Sequence, residues 1–346
     1  MKRILFVSLL ADNYSRSAVL KSSLEKSPDF EVKYYRIPSS TFMGIFRYLA
    51  FLLITGRQND IIIIMSPGHI LVPITKIVFC GIVILDAGWP LSDSSEIRKG
   101  KKSLTFFKDN LIDRFCMRIA DLVILESERQ KESLRKRNFR FSNEPKVIYT
   151  GVLDKFFQKR EMSQSSKVEK TGKLRVIFRG KYNKEAGLEF IQSIFESRLN
   201  RFDLVICCSN LPGDFVRLPN VIYHEGFLHA HKIATFIRES DLALGQFGCE
   251  RRIERSIPHK IFEYASHGIP VVCMDGSASG EIFSEREFFY VKRYELGLFL
   301  DSTSSDMVSF QRELITRSKR ISEKYLECFS EKSIRERFRR IIAELR

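Results

Sequence analysis

The chain has 346 residues, 44% of them hydrophobic, which is enough for two ordinary domains with a core each. No apolar run reaches the roughly 18 residues of a transmembrane helix, and seven cysteines without a Cys-x-x-Cys suit buried thiols in a reducing, cytoplasmic setting, not a disulfide frame or a zinc site. The formal net charge of +15 admits nucleic acid, an anionic membrane or an anionic substrate as partner, and it is uneven: residues 1–150 hold 24 Lys+Arg against 15 Asp+Glu, the remainder 33 against 27.

Met1-Lys2-Arg3 and the short apolar run after it read as a first strand, since no small-x-small cleavage site follows to make a signal peptide. The pattern predicts strands at Arg3–Leu10, Phe30–Arg36, Asp60–Met65, Ile82–Asp86, Asp121–Leu125 and Lys146–Tyr149. Helices are predicted near 15–27, 42–55, 69–80, 102–119 and 127–138. Ile61-Ile62-Ile63-Ile64 is apolar without alternation, as in a strand covered on both faces of a parallel sheet. Two basic clusters punctuate this half, one from Arg98 to Lys108 and one from Arg129 to Arg140. Residues 102–119 place Leu104, Phe107, Leu111, Phe115 and Ile119 on one helical stripe, and 42–55 is apolar nearly all round except at Arg47. Such stripes either dock on the sheet or, beside basic clusters, bind an anionic membrane surface.

Residues 158–173 are polar and read as an exposed connection near a domain boundary. The β/α rhythm then restarts. Strands are predicted at Leu174–Arg179, Asp203–Cys208, Val221–His224, Asp241–Gln246, Val271–Met274 and Phe288–Val291, and helices at 185–197, 229–239, 258–267 and 305–325. A charged amphipathic helix, 331–346, closes the sequence. The expected organisation is therefore α/β: two tandem Rossmann-like, doubly wound parallel-sheet domains, 1–150 and 151–330, with the last helix packing back on the first domain. Ligands of such sheets bind at the carboxyl ends of the strands, so two such edges facing each other would form a cleft suited to a small molecule.

The most informative stretch is Ser256-Ile-Pro-His-Lys-Ile-Phe-Glu-Tyr-Ala-Ser-His-Gly-Ile-Pro-Val-Val272. It resembles the signature of the retaining glycosyltransferases of family 4, which have the GT-B fold. Pro258 suits the first turn of a helix, whose unpaired N–H groups suit a phosphate. Lys260 adds charge there, and Glu263, a turn further on, could accept both hydroxyls of a ribose. Three more pieces fall in the family's order. Val147-Ile-Tyr-Thr-Gly-Val152 resembles the entry to the second domain. Arg179-Gly-Lys-Tyr-Asn-Lys-Glu-Ala-Gly-Leu188 resembles the loop that holds the donor's pyrophosphate, and Asn220 to Gly226, with Ser240 to Leu244, resembles the base-binding turn and the strand after it.

There are departures. Where the family usually has a first glutamate, eight positions before Glu263, stands Arg255, with Glu254 one place off; this leaves the donor sugar open. Lys181 matches the first basic position of the phosphate loop, whereas Ala186 occupies the second, which makes Lys184 the candidate to reach in. The turn Leu10–Arg16 lacks the family's usual glycines.

The resemblance implies transfer of a sugar from a nucleoside diphosphate donor to an acceptor glycan or lipid-linked glycan, with retention and without a metal. The lack of an Asp-x-Asp motif agrees. Lys181, Lys184, Gly226, Lys260 and Glu263 would bind the donor. His69 and Asp86, at the carboxyl ends of two first-domain strands, are the candidates to orient or deprotonate the acceptor hydroxyl, beside their plainer roles as a helix cap and a turn former. No bound cofactor is expected, the donor being a substrate. The expected location is cytoplasmic, with an attachment to the inner membrane face where the acceptor is lipid-linked. Three other classes share some of these features. Nucleic-acid binding lacks a groove-reading motif and aromatics interleaved with the basic clusters. A dinucleotide enzyme lacks a Gly-x-Gly-x-x-Gly after any strand. A non-catalytic nucleotide-sugar binder of the same fold stays open because of Arg255.

Overall fold

A computed structural model of the chain describes residues 1–9, 15–37, 42–156, 172–249 and 251–345. The glycine-poor turn after the first strand and nearly all of the 158–173 connection lie outside the described residues. The chain divides into two compact units, Met1–Gly151 with Glu331–Arg346, and Val152–Ser330.

The first unit is built on a six-stranded sheet of β1 (Lys2–Ser8), β2 (Phe30–Arg36), β3 (Ile61–Met65), β4 (Ile82–Gly88), β5 (Leu122–Leu125) and β6 (Lys146–Val147). Its order is β2-β1-β3-β4-β5-β6, with every pairing parallel. The order reverses direction between β1 and β3, the position at which such sheets open a crevice at their carboxyl edge. The isoleucines of β3 are fully buried, as a strand covered on both faces requires. Helices Phe42–Thr55, Leu71–Val78 and Leu104–Ile119 pack side by side, the first two joined by the Tyr48 hydroxyl on Thr75 Oγ1 at 2.7 Å. Helix Leu104–Ile119 begins where Ser103 Oγ accepts the Phe106 N–H, and Glu128–Lys136 where Ser127 accepts the Gln130 N–H.

Two local features differ from the sequence reading. Leu91–Lys99 is a helix, although it carries no apolar stripe. The buried Asp113 makes it one, its carboxylate accepting the N–H groups of Leu91 and Ser92 at 3.0 and 2.9 Å, and Gly100 ends it at φ +80°. The helix expected over 69–80 is a 3₁₀ turn, Gly68–Ile70, followed by Leu71–Val78.

Helix Glu331–Glu344 belongs to this first unit. Glu331 is buried and its Oε2 accepts from Ser22 Oγ at 2.8 Å and Lys26 Nζ at 2.6 Å, both on helix Ser15–Glu25 or just beyond it. Phe338 meets Phe30 edge-on at 6.2 Å, and Arg339 pairs with Asp29.

The second unit has β7 (Leu174–Lys181), β8 (Phe202–Ser209), β9 (Ile222–Glu225), β10 (Leu242–Leu244), β11 (Val271–Met274) and β12 (Phe289–Val291). The order β12-β11-β10-β7-β8-β9, again all parallel, is the Rossmann order, and it reverses between β7 and β10. Helices Leu188–Glu196, Ala230–Arg238 and His259–Ser266 connect the strands. The helix expected over 305–325 is Met307–Cys328, and a further helix that the pattern does not predict, Leu296–Ser305, precedes it; Asp306 divides them, its side chain accepting the Ser309 N–H.

The last helix contributes to the core of the first unit, so its truncation should act there and not elsewhere. Phe338→Ala is expected to cost about 3–5 kcal/mol. Hydrogen exchange should show protection falling in β1 and β2 and holding in β7 and β8; an equal fall in both would contradict this.

Candidate functional site

In the second unit, the carboxyl ends of β7 and β10 and the helix His259–Ser266 bring four ionisable side chains together. Pro258 is the N-cap of that helix, one position earlier than expected. Lys260 is only 5% exposed and turns inward: its Nζ donates to the Gly245 carbonyl at 3.0 Å and lies 3.8 Å from the centroid of the Phe178 ring. A Cβ at Gly180 would stand 3.8 Å from the same nitrogen, an ordinary contact distance, which places the end of β7 beside it. Burial, helped by the charge of Arg179, lowers the Lys260 pKa to about 7.

Glu263 sits on the next turn of the helix. Its Oε1 lies 3.2 Å from an Arg179 guanidinium nitrogen and 3.3 Å from His259 Nδ1. Burial alone would raise its pKa, but Arg179 and His259 outweigh burial and hold it at about 2. The other oxygen, Oε2, is buried without a hydrogen-bond partner among the described residues. An ionised carboxylate with one buried, unspent acceptor is unfavourable by itself. It is ready for a hydroxyl donor from outside. Tyr264 fixes the arrangement, its hydroxyl accepting the Arg179 backbone N–H at 2.8 Å.

Arg179 and His259 went unassigned in the sequence reading. Arg179 opens the stretch read as a phosphate loop, but the family pattern drew the assignment to Lys181. His259 stands four residues before Glu263, a spacing that places two side chains on one helical face.

Lys181, the last residue of β7, and Lys184, in the loop after it, are both exposed. That loop is set by glycine. Gly187 has φ +64°, and a Cβ there would come within 2.5 Å of the Phe247 carbonyl carbon; one at Gly248 would meet the Lys184 carbonyl oxygen. The loops after β7 and β10 therefore lie backbone to backbone. Gly226 is exposed at φ +78° in the turn after β9, two strands from β7 on the same carboxyl edge. The structure thus brings Lys260 and Glu263 together with Arg179 and His259, puts Lys181 next to them in the chain, and sets Gly226 apart at the sheet margin. Arg255 is half-buried just before the helix.

His69 and Asp86 lie in the first unit, and both are fully buried. Asp86 sits near the end of β4. Its two oxygens are each 3.0 Å from Arg16 Nε, and Oδ1 also accepts the Gly88 N–H at 3.1 Å. Arg16 goes on to donate to the Ile148 carbonyl and to Thr150 Oγ1, both at 2.9 Å. Burial raises the Asp86 pKa, against the pull of Arg16. His69 lies in the Gly68–Ile70 turn with Nε2 3.6 Å from Asp113 Oδ1, and neither ring nitrogen makes a hydrogen bond among the described residues. Burial lowers its pKa, so its neutral form is favoured.

Among the described residues no group of three or more His, Cys, Asp or Glu is arranged to hold a metal ion, and no helix is long and apolar enough to cross a membrane.

The Asp86–Arg16 pair generates a stability prediction. Asp86→Ala leaves Arg16 buried without its anion and should cost about 3–5 kcal/mol. The double variant Arg16→Met/Asp86→Leu should recover much of that. Urea unfolding midpoints test it, and a single variant as stable as the native chain would show that the pair carries no such energy.

No family model matches the sequence, and no curated protein matches it by sequence. Solved structures do match. The chain is similar to sucrose-phosphate synthase from Thermosynechococcus elongatus, with a TM-score of 0.78 at 12% identity, covering 100% of this chain and 99% of that one. It is similar to HepE of Anabaena, with a TM-score of 0.72 at 14% identity, covering 99% and 100%. It is also similar to α,α-trehalose 6-phosphate synthase from Burkholderia multivorans, with a TM-score of 0.68 at 12% identity, covering 100% and 96%. The likeness shows the fold: two Rossmann-like domains of the GT-B kind, each on a six-stranded parallel sheet.

Proposed function

We propose that the chain is a glycosyltransferase that takes a sugar from a nucleoside diphosphate donor bound on the second unit. The observation that carries this reading is the buried Glu263 carboxylate, ionised and with one acceptor unspent, among Arg179, His259 and Lys260 at the switch point of a Rossmann-ordered sheet. The fold relatives support it. HepE was solved with UDP-glucose, and a trehalose-6-phosphate relative from E. coli with UDP-2-fluoro glucose.

In this reading Glu263 accepts the ribose hydroxyls, and Gly226 lets the backbone approach the base. Lys181, Lys184 and Lys260 hold the diphosphate. The acceptor oxygen bonds the anomeric carbon as the bond from that carbon to the phosphate oxygen breaks, with retention. The nucleoside diphosphate leaves with the bonding pair, and the acceptor's proton passes to it. The charge that grows on the phosphate meets fixed cations, so the step needs no divalent metal. The acceptor is a glycan or a lipid-linked glycan handled by the first unit. There Asp86 acts by fixing Arg16, and His69 by shaping the β3 end. In this reading the chain works in the cytoplasm, where its seven cysteines stay reduced. A second reading, a nucleotide-sugar binder without turnover, is favoured by Arg255 in place of the family's first glutamate.

A panel of nucleotide sugars should contain one that raises the thermal midpoint of the protein. Glu263→Gln should weaken that binding ten- to a hundredfold, the worth of roughly 1.5–3 kcal/mol in charge-assisted bonds. Lys181→Ala should lower turnover more than affinity, because its charge counts most as the diphosphate leaves. Binding with no turnover on any acceptor would favour the second reading. If both variants bind and turn over as the native chain does, the site lies elsewhere.

Lys260 adds a pH signature. With its pKa lowered to about 7, much of it is neutral at pH 8, and a diphosphate needs the ammonium. Donor binding should therefore take up a proton there and weaken as pH rises above about 7. Calorimetry in buffers of different ionisation enthalpy should show this uptake, and Lys260→Met should abolish it.

A further inference from the structure

The face of the first unit formed by helices Phe42–Thr55, Leu71–Val78 and Leu104–Ile119 holds more apolar surface than the sheet covers. Their inner residues are spent on the core: Tyr48, Leu52, Leu71, Val72, Cys116 and Met117 all pack into the cluster around the sheet. Their outer residues are not. Leu104, Phe107, Leu111 and Phe115 on the last helix are 52% to 87% exposed. Phe46, Leu53 and Ile54 on the first, and Ile77 on the middle one, are between 57% and 83% exposed. The three helices are neighbours, so these residues share one face. Single exposed apolar residues are ordinary, but a contiguous set on adjacent helices marks an interaction surface.

Charge selects the occupant. Segments 42–58, 71–78 and 98–119 carry ten Lys+Arg and only two Asp; of the ten, Lys76 pairs with Asp121 and Lys101 with Glu96 just outside these segments. Both aspartates are engaged: Asp113 is buried beneath Leu91 and Ser92, and Asp109 pairs with the Ser95 hydroxyl. Arg47, Lys102, Lys108 and Arg118 are exposed among the apolar side chains. A second copy of the chain meeting this face through a two-fold contact would set like charges together. A surface that offers apolar depth beneath negative charge matches both features at once.

We infer that this three-helix face docks on an anionic lipid bilayer, lying in its interface with Phe107, Leu111 and Phe115 inserted and the lysines and arginines at headgroup level. None of the helices is long and apolar enough to cross a membrane, so the attachment is peripheral. The inference does not depend on the proposed glycosyl transfer, since no donor or acceptor enters it.

Co-sedimentation of the full chain with vesicles tests it. The protein should bind vesicles of phosphatidylcholine mixed with phosphatidylglycerol, bind phosphatidylcholine alone at least tenfold more weakly, and release on raising the salt. Lys102→Gln and Lys108→Gln should each weaken binding about fivefold, the equivalent of about 1 kcal/mol per basic residue at a charged surface. Leu111→Glu with Phe115→Glu, both at exposed positions and expected to leave the fold and any sugar-nucleotide binding intact, should abolish it. Absence of binding, binding indifferent to phosphatidylglycerol, or a lipid-free dimer that the Leu111→Glu/Phe115→Glu variant dissolves would each overturn the inference, the last by assigning the face to self-association.

Discussion

A parallel strand covered on both faces can present polar groups only at its ends. That constraint decides where this chain can do chemistry. β3 is wholly apolar and fully buried, and β7 and β8 are buried along most of their length. The functional candidates accordingly crowd the carboxyl edges: Arg179 to Lys181 at the end of β7, Gly226 after β9, Asp86 near the end of β4 and His69 just after β3. The order of each sheet then selects, within each edge, the point where neighbouring connections diverge.

The two units answer the same constraint differently. In the first, the Asp86 carboxylate is nearly saturated: it takes Arg16 and a backbone N–H, while the guanidinium also donates to Ile148 and Thr150 and keeps only Nη2 unmatched among the described residues. Such a pair ties β4 to the segment after β6 and leaves its carboxylate little to offer a ligand. In the second, the balance is open. Lys260 is buried against an aromatic ring and a carbonyl, and Glu263 keeps one oxygen unmatched. Keeping Glu263 ionised there depends on Arg179 and His259. Burial at this site is compensated only in part, and the unmet part, an acceptor beside cations, has the polarity of a ribose diphosphate.

Much of this was legible in the sequence, for physical reasons. Unbroken isoleucine and valine runs can be little else than buried parallel strands, so the strands and the restart of the rhythm after the polar connection were readable. The helix Leu91–Lys99 was not, because its start is set by Asp113, more than twenty residues away in sequence. Lys260 and Glu263 could be named from the motif, but the inward turn of Lys260 onto Gly245 depends on a contact between elements that no local pattern encodes. Arg179 was missed because a loop with three cations invites assignment to the ones that match a motif, whereas geometry gives the ion pair to the residue still within the strand.

Periodicity also has a blind side at the three-helix face. An apolar stripe says that a surface avoids water; it does not say what covers it. Helix Leu104–Ile119 shows the ambiguity within one element. Cys116 and Met117 point into the core, while Leu111 and Phe115, only one turn away, stand in solvent. Two apolar aspects on one helix, repeated on its neighbours, exceed what a single sheet can bury. Burying that excess in a thicker core would require another layer of chain, and the unit instead places its last helix, Glu331–Glu344, against Ser15–Glu25. Among the described residues the outer face is left uncovered, and Arg47, Lys102, Lys108 and Arg118 stand exposed around it, so an occupant that is both apolar and negatively charged matches it on both counts.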